Sequence, residues 1–355
     1  MSAARADRLV ERLEERELDS LLVTNLVNVR YLSGFTGTNG LCVVGPEQRF
    51  FLTDFRYVER AQSEVPDFER LRGKQDLLGD AATRLSGRVG FEDQHMSVRQ
   101  HERLRGLVPE GVELVAAGGI VEELRAVKEP DELRAMREAA ALADDMYAYI
   151  QERGLVGRTE HEVAVDVERE MRARGAEDPS FPSIVAAGAN GALPHATPGS
   201  AEIPADTLVI IDMGCRVDGY CSDCTRTFAT GSLSDEAGSV YELVLAAQEE
   251  SLAAIHAGAD CQGVDAVARE RIGGAGYGER FGHGLGHGVG LEIHEAPRLA
   301  QSVECTLVTG NAVTVEPGVY VPGAFGVRIE DLVVVSDEGS EVLSHFPKEL
   351  ITVGV

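Results

Sequence analysis

Apolar residues in the first third of the chain follow two alternating rhythms. Leu9, Val10 and Leu13 recur at helical spacing among Arg and Glu in residues 1–18, whereas Leu21-Leu22-Val23, Leu41-Cys42-Val43-Val44, Phe50-Phe51-Leu52 and Arg88-Val89-Gly90-Phe91 are short unbroken apolar runs. Amphipathic helices alternating with short buried strands predict a small α/β domain. The sequence turns charged between Glu122 and Asp131, where Pro130 can open a helix carried by Leu133, Met136, Ala140 and Ala143. The expected domains are therefore 1–124 and 125–355. The second begins with two long helices, 130–152 and 159–174, and continues as glycine-rich strand sequence. Strands are expected at 207–213, 220–228, 312–316 and 327–335, an α+β arrangement.

Composition narrows the function classes. A chain of 355 residues is long enough for two domains at about 150 residues each. With 44% hydrophobic and 26% charged residues it reads as an ordinary globular protein. A formal net charge of -26 repels phosphate backbones and anionic lipid, so neither nucleic acid nor a membrane is an expected partner. No apolar run approaches the ~18 residues of a membrane span. Residues 1–18 do not resemble a basic segment followed by an apolar export core, so a cytoplasmic setting is expected. The six cysteines (Cys42, Cys215, Cys221, Cys224, Cys261, Cys305) show no framework spacing, which fits a reducing compartment.

The predicted strands of the second domain carry acids that demand an explanation. Asp212, Asp223, Glu316 and Glu330 each interrupt apolar sequence, and a buried carboxylate costs several kcal/mol unless compensated. Singly, each has an ordinary reading as a turn residue, a strand end or, for Glu330, an ion pair with Arg328 two residues before it. Together, four converging carboxylates require a cation among them. With the neutral imidazole of His287 they carry a charge of -4, which two divalent ions cancel, and oxygen-rich ligation favours Mn²⁺-like metals over thiolate-bound zinc. In a hairpin turning at Gly219, Asp223 and Thr225 share a strand face, so Thr225 is expected to hydrogen-bond Asp223. Cys221 and Cys224 form a C-x-x-C, but three residues apart in a strand they face opposite ways and cannot chelate together. Residues 281–295 place His283, His287 and His294 among five glycines. This segment is not a zincin helix, because His294-Glu295 is followed by Ala296-Pro297-Arg298.

These motifs resemble, in order, the signature segments of the pita-bread metallopeptidases, which include methionine aminopeptidase, prolidase and aminopeptidase P. The matching segments are Leu193-Pro194-His195, Asp212-Met213-Gly214, Ser222-Asp223-Cys224-Thr225-Arg226-Thr227, His283-Gly284-Leu285-Gly286-His287-Gly288, Glu316-Pro317-Gly318 and Arg328-Ile329-Glu330-Asp331. Residues 31–40 and 52–57 resemble the creatinase-like N-terminal domain of aminopeptidase P and prolidase. Cys224 stands where relatives commonly have Ile.

The resemblance implies a creatinase-like α/β domain followed by an α+β pita-bread catalytic domain. It assigns Asp212, Asp223, His287, Glu316 and Glu330 as ligands of two divalent metal ions, Mn²⁺ first and Co²⁺ or Zn²⁺ as alternatives. His195, His294 and Glu316 become catalytic, with Glu316 the proton shuttle, while His283 and Arg328 become substrate contacts. Peptides with proline in second position are the implied substrates, and a homodimer the implied assembly. Residues 34–40 and 180–185 point to an Xaa-Pro aminopeptidase, with an Xaa-Pro dipeptidase as the alternative. Methionine aminopeptidase, a metal-free creatinase-like hydrolase and a non-catalytic binding protein stand further off.

Overall fold

A computed structural model describes residues 2–354. The chain forms two compact units, Met1–Arg125 and Ala126–Val355.

The first unit is a six-stranded mixed sheet in the order Glu69–Arg72, Arg49–Thr53, Gly40–Val44, Ser20–Val23, Arg88–Phe91, Glu113–Ala116. The four inner strands are the apolar runs of the sequence, and they bury Leu22, Val43, Leu52 and Val89 in one core. The two edge strands are more exposed than the inner four: Glu69–Arg72 is polar apart from Leu71, and Glu113–Ala116 offers only the short, partly exposed run Leu114-Val115-Ala116. Asn25 caps the helix Leu26–Ser33 by accepting a hydrogen bond from the amide of Val27.

The second unit opens with the two expected long helices, each started by its own sequence. At Pro130–Arg153, Glu129 and Glu132 form a capping box and proline occupies the first turn. At Glu160–Ala173, Thr159 and Glu162 form another. These helices pack with Val185, Val209, Ile211 and Phe228 of the three-stranded sheet Ile184–Ala187, Leu208–Met213, Cys224–Ala229. A second core joins the helices Asp235–Ala253 and Cys261–Gly274 to Val313, Val315 and Val333 of a five-stranded sheet. That sheet runs Glu295–Leu299, Gly286–Gly288, Ala312–Val315, Asp331–Ser336, Gly339–Val342.

Three predicted strands break or end where the acids lie. The segment expected as one strand at 220–228 is Tyr220–Cys221 and Cys224–Ala229, with Ser222 and Asp223 between them. The segment at 327–335 is Phe325–Arg328 and Asp331–Ser336, with Glu330 in the gap, and the strand expected to reach 316 stops at Val315. A break frees the side chain from strict alternation and lets it turn toward its neighbours. The backbone groups so released are satisfied locally: Glu330 N donates to Thr225 O and Ser222 N to Cys215 O. The hairpin turn is Asp218-Gly219, with φ of 49° and 82°, which suits the primed turn of a two-residue loop. Gly214 is obligatory for a different reason, since a Cβ there would meet Ser222 O at 1.8 Å.

The cysteines depart from expectation. Cys261 and Cys305, 44 residues apart, form a disulfide, while the other four are free and buried. The pair is brought together by the start of a helix and the chain leading to a strand, a proximity that sequence spacing does not reveal.

Candidate metal centre

Five side chains from five separate segments converge in the second unit. Asp212 comes from a strand interior, Asp223 and Glu330 from strand breaks, Glu316 from a strand end and His287 from the short strand Gly286–Gly288. Carboxylate oxygens of Asp212, Asp223 and Glu330 lie within 4.8 Å of one another. His287 Nε2 is 3.6 Å from Asp223 Oδ2 and 3.3 Å from Glu316 Oε1. Gly286 lets this strand press against its neighbour, because a Cβ there would lie 1.9 Å from Thr314 O. Two buried oxygens, Asp212 Oδ1 and Glu330 Oε1, have no hydrogen-bond partner. Buried acceptors are rarely left this way, and hard divalent cations are the group such oxygens fit.

The electrostatics agree. Burial, followed by mutual repulsion, pushes the carboxyls of Asp223 and Glu330 well above the usual range. Burial also raises Asp212, against the opposing pull of Arg328. Glu316 goes the other way: burial would raise it, but the hydrogen bond and charge of His287, with His283 and Arg328, hold it at about 2. One carboxylate is therefore kept ionised beside three that resist it.

The supporting contacts differ from those read off the sequence. Thr225 is expected from strand alternation to hold Asp223; instead its hydroxyl donates to Glu330 Oε2 at 2.7 Å, and Asp223 lies outside the strand, which starts only at Cys224, so strict alternation does not relate the two residues. Arg328 does not pair with Glu330 two residues on, since the gap after Arg328 interrupts their common face. It donates to Asp212 Oδ2 at 2.6 Å, Thr225 Oγ1 at 3.0 Å, Tyr320 Oη at 2.9 Å and Pro194 O at 3.1 Å. Asp331 is held by Arg226, Gln248 and Lys348. Cys221 and Cys224 sit in different apolar clusters, and burial raises both thiols.

A cavity of about 460 Å³ opens onto the five residues, and His195, His283, His294, Arg298, Tyr320 and Arg328 are on its walls. His195 and His294 are exposed to it. The His294 ring stands edge-on to His287 with centroids 4.4 Å apart, and burial, then the neighbouring His287, lowers its pKa. His283 is half-buried with both ring nitrogens engaged, Nδ1 to Gly284 O and Nε2 to Tyr320 Oη, and burial lowers its pKa too. Arg298 was passed over in the sequence. It is exposed, and it faces His287 across the ladder between Gly286–Gly288 and Glu295–Leu299. Its only signal is that register, which local spacing does not carry.

Residues 134–337 match the family model described as Metallopeptidase family M24, and residues 5–127 that of the Creatinase/Prolidase N-terminal domain. The solved Xaa-Pro dipeptidase from Bacillus anthracis is 38% identical, with a TM-score of 0.96 over 99% of this chain and 100% of that one. An Xaa-Pro dipeptidase from Pyrococcus furiosus is 34% identical over 98% of this chain and 99% of its own length. The solved X-Pro aminopeptidase from Thermotoga maritima is 33% identical, with a TM-score of 0.90 over 98% of this chain and 100% of that one.

Proposed function

Because this chain belongs to metallopeptidase family M24 and carries the creatinase/prolidase domain ahead of it, we propose that it is a metal-dependent Xaa-Pro dipeptidase. The observation that carries the dipeptide reading is Arg298, an exposed cation on the cavity wall opposite His287. An Xaa-Pro dipeptide ends in a free carboxylate one residue beyond the bond to be cut, and a guanidinium is the group best shaped to hold it. Arg328, the other arginine of the wall, has its donors committed to protein acceptors. Residues 34–40 and 180–185 suggested an aminopeptidase, but neither segment offers such a cation. Similar proteins from Pyrococcus furiosus, Pyrococcus horikoshii and Bacillus anthracis bear the name Xaa-Pro dipeptidase or prolidase, which supports the dipeptidase over the aminopeptidase.

Asp212, Asp223, His287, Glu316 and Glu330 would hold two divalent ions, with Mn²⁺ favoured by the oxygen-rich set and Co²⁺ or Zn²⁺ as alternatives. When bound, such ions lower the pKa of water and polarise a carbonyl. Ionised Glu316 accepts the proton of the attacking water and passes it to the proline nitrogen as the bond breaks. His195 and His294 donate hydrogen bonds to the developing oxyanion and the scissile group. His283, through Tyr320, and Arg328 shape the wall against which proline packs. The Xaa-Pro link lacks an amide hydrogen, so recognition rests on shape and on the two chain ends. The homodimer belongs to this proposal as an implication of the resemblance, and the cytoplasmic setting as the expectation drawn from residues 1–18 and the cysteines. No helix among the described residues is long and apolar enough to cross a membrane.

The test compares an Xaa-Pro dipeptide with the matched Xaa-Pro-Yaa tripeptide. Only the dipeptide is expected to turn over efficiently, and Arg298→Leu is expected to raise its KM roughly tenfold or more with little change in kcat. Equal hydrolysis of the tripeptide would return the assignment to an aminopeptidase.

A further inference from the structure

Lys128 takes no part in the chemistry above, yet its burial is unusual for a lysine. Its side chain is 1% exposed and its Nζ lies 3.0 Å from Glu295 Oε2, on a side chain 5% exposed. A buried ion pair does not justify itself by stability, since an apolar pair of the same volume often serves as well. Its placement has to be read for another use.

Glu295 directly follows His294. Its carboxylate lies over the turn that precedes that histidine: Oε1 accepts the amide of Glu292 at 3.1 Å, and a Cβ at Gly290 would meet Oε2 at 2.6 Å. The turn closes with Gly290 N donating to Glu292 O, and Gly290 O in turn accepts from Cys221 N, two residues before Asp223. Glu295 thus fixes residues 290–295 from the inside, and those residues set where the His294 ring stands against His287.

Lys128 is itself rigidly mounted. Its amide donates to Gly310 O at 2.8 Å, Val127 bridges Asn311, and Asn311 Nδ2 donates to Ala126 O at 2.9 Å. The lysine is therefore a fixed post from which a charge reaches the carboxylate.

We propose that Lys128 and Glu295 are positioning residues for His294, holding its imidazole over the cavity at the place where it donates to the scissile group. The proposal rests on the role assigned to His294 under the dipeptidase reading.

The experiment is a mutant cycle between Lys128→Met and His294→Ala, with kcat and KM on an Xaa-Pro dipeptide, bound metal and melting temperature measured for each protein. Lys128→Met is expected to lower kcat about tenfold when His294 is present and less than about twofold when it is alanine, with bound metal unchanged, because a residue acting through another loses its effect when that partner is gone. If Lys128→Met does not fold, Lys128→Met/Glu295→Gln removes both charges, keeps an oxygen for the Glu292 amide and is read in the same way. Equal losses in both backgrounds, or a loss of metal, would overturn the positioning role while leaving His294 as a catalytic residue. A His294→Ala protein as active as the parent contradicts the role of His294 first, and the positioning role with it.

Discussion

Glu316→Gln is expected to lower kcat by roughly 10³-fold with a change in KM of no more than about threefold, the range that loss of a positioned general base and acid produces. The substitution is nearly isosteric and keeps an oxygen for the Thr314 hydroxyl, which donates to Glu316 Oε1 at 3.2 Å. What it removes is the carboxylate that His287, His283 and Arg328 hold ionised against burial. An amide can neither take the proton of water nor deliver one to the proline nitrogen. Steady-state kinetics beside a metal assay separate the two jobs of this residue: lost turnover with metal retained is the proton-transfer role, whereas turnover within tenfold of the parent would remove Glu316 from the chemistry.

Arg328→Met is expected to have the largest effect on stability. Arg328 is buried, and the substitution leaves Asp212, Thr225, Tyr320 and the Pro194 carbonyl without a common donor. Removing one partner of a buried pair costs about 3–5 kcal/mol, which in a unit of this size lowers the melting temperature by roughly 10 °C. The loss should be greatest in metal-free protein, where nothing else offsets the charge of Asp212, and smaller once Mn²⁺ is supplied. Scanning calorimetry with and without Mn²⁺ gives both values. An unchanged melting temperature in the metal-free protein would mean that Asp212 is not charged there.

The sequence disclosed its chemistry more fully than its contacts. Asp212, Asp223, His287, Glu316 and Glu330 each lie in a short motif whose residues are adjacent in the chain, so their convergence could be argued from charge alone. The two long helices were equally legible, since the capping residues Glu129, Glu132, Thr159 and Glu162 are local signals. The strand breaks at Ser222-Asp223 and Ile329-Glu330 were not, because strand-forming sequence flanks each on both sides and the partners that the acids meet there lie far away in the chain. Thr225 illustrates the consequence. Strand alternation gave it Asp223 as partner, whereas Glu330, 105 residues away, receives its hydrogen bond. Arg298 and Lys128 were missed for the same reason: the first is defined by its register against His287, the second by Glu295, 167 residues later. The disulfide between Cys261 and Cys305 is a further contact between distant segments.

The central claim is that the five residues form a two-ion centre on which peptide hydrolysis depends. In metal-free protein the carboxyls of Asp212, Asp223 and Glu330 have values raised above those of the unfolded chain, so the folded state binds more protons and its stability falls as pH rises through that range, the reverse of the usual acid. Cations must displace those protons, so binding strengthens as pH rises and weakens as it falls. Titrating chelator-stripped protein with Mn²⁺ in a calorimeter, in buffers of different ionisation heat, while following hydrolysis of an Xaa-Pro dipeptide, tests this directly. Two ions per chain, protons released on binding and activity that returns with occupancy are the predicted result. Full hydrolysis by the stripped protein, or metal uptake without proton release, would contradict it.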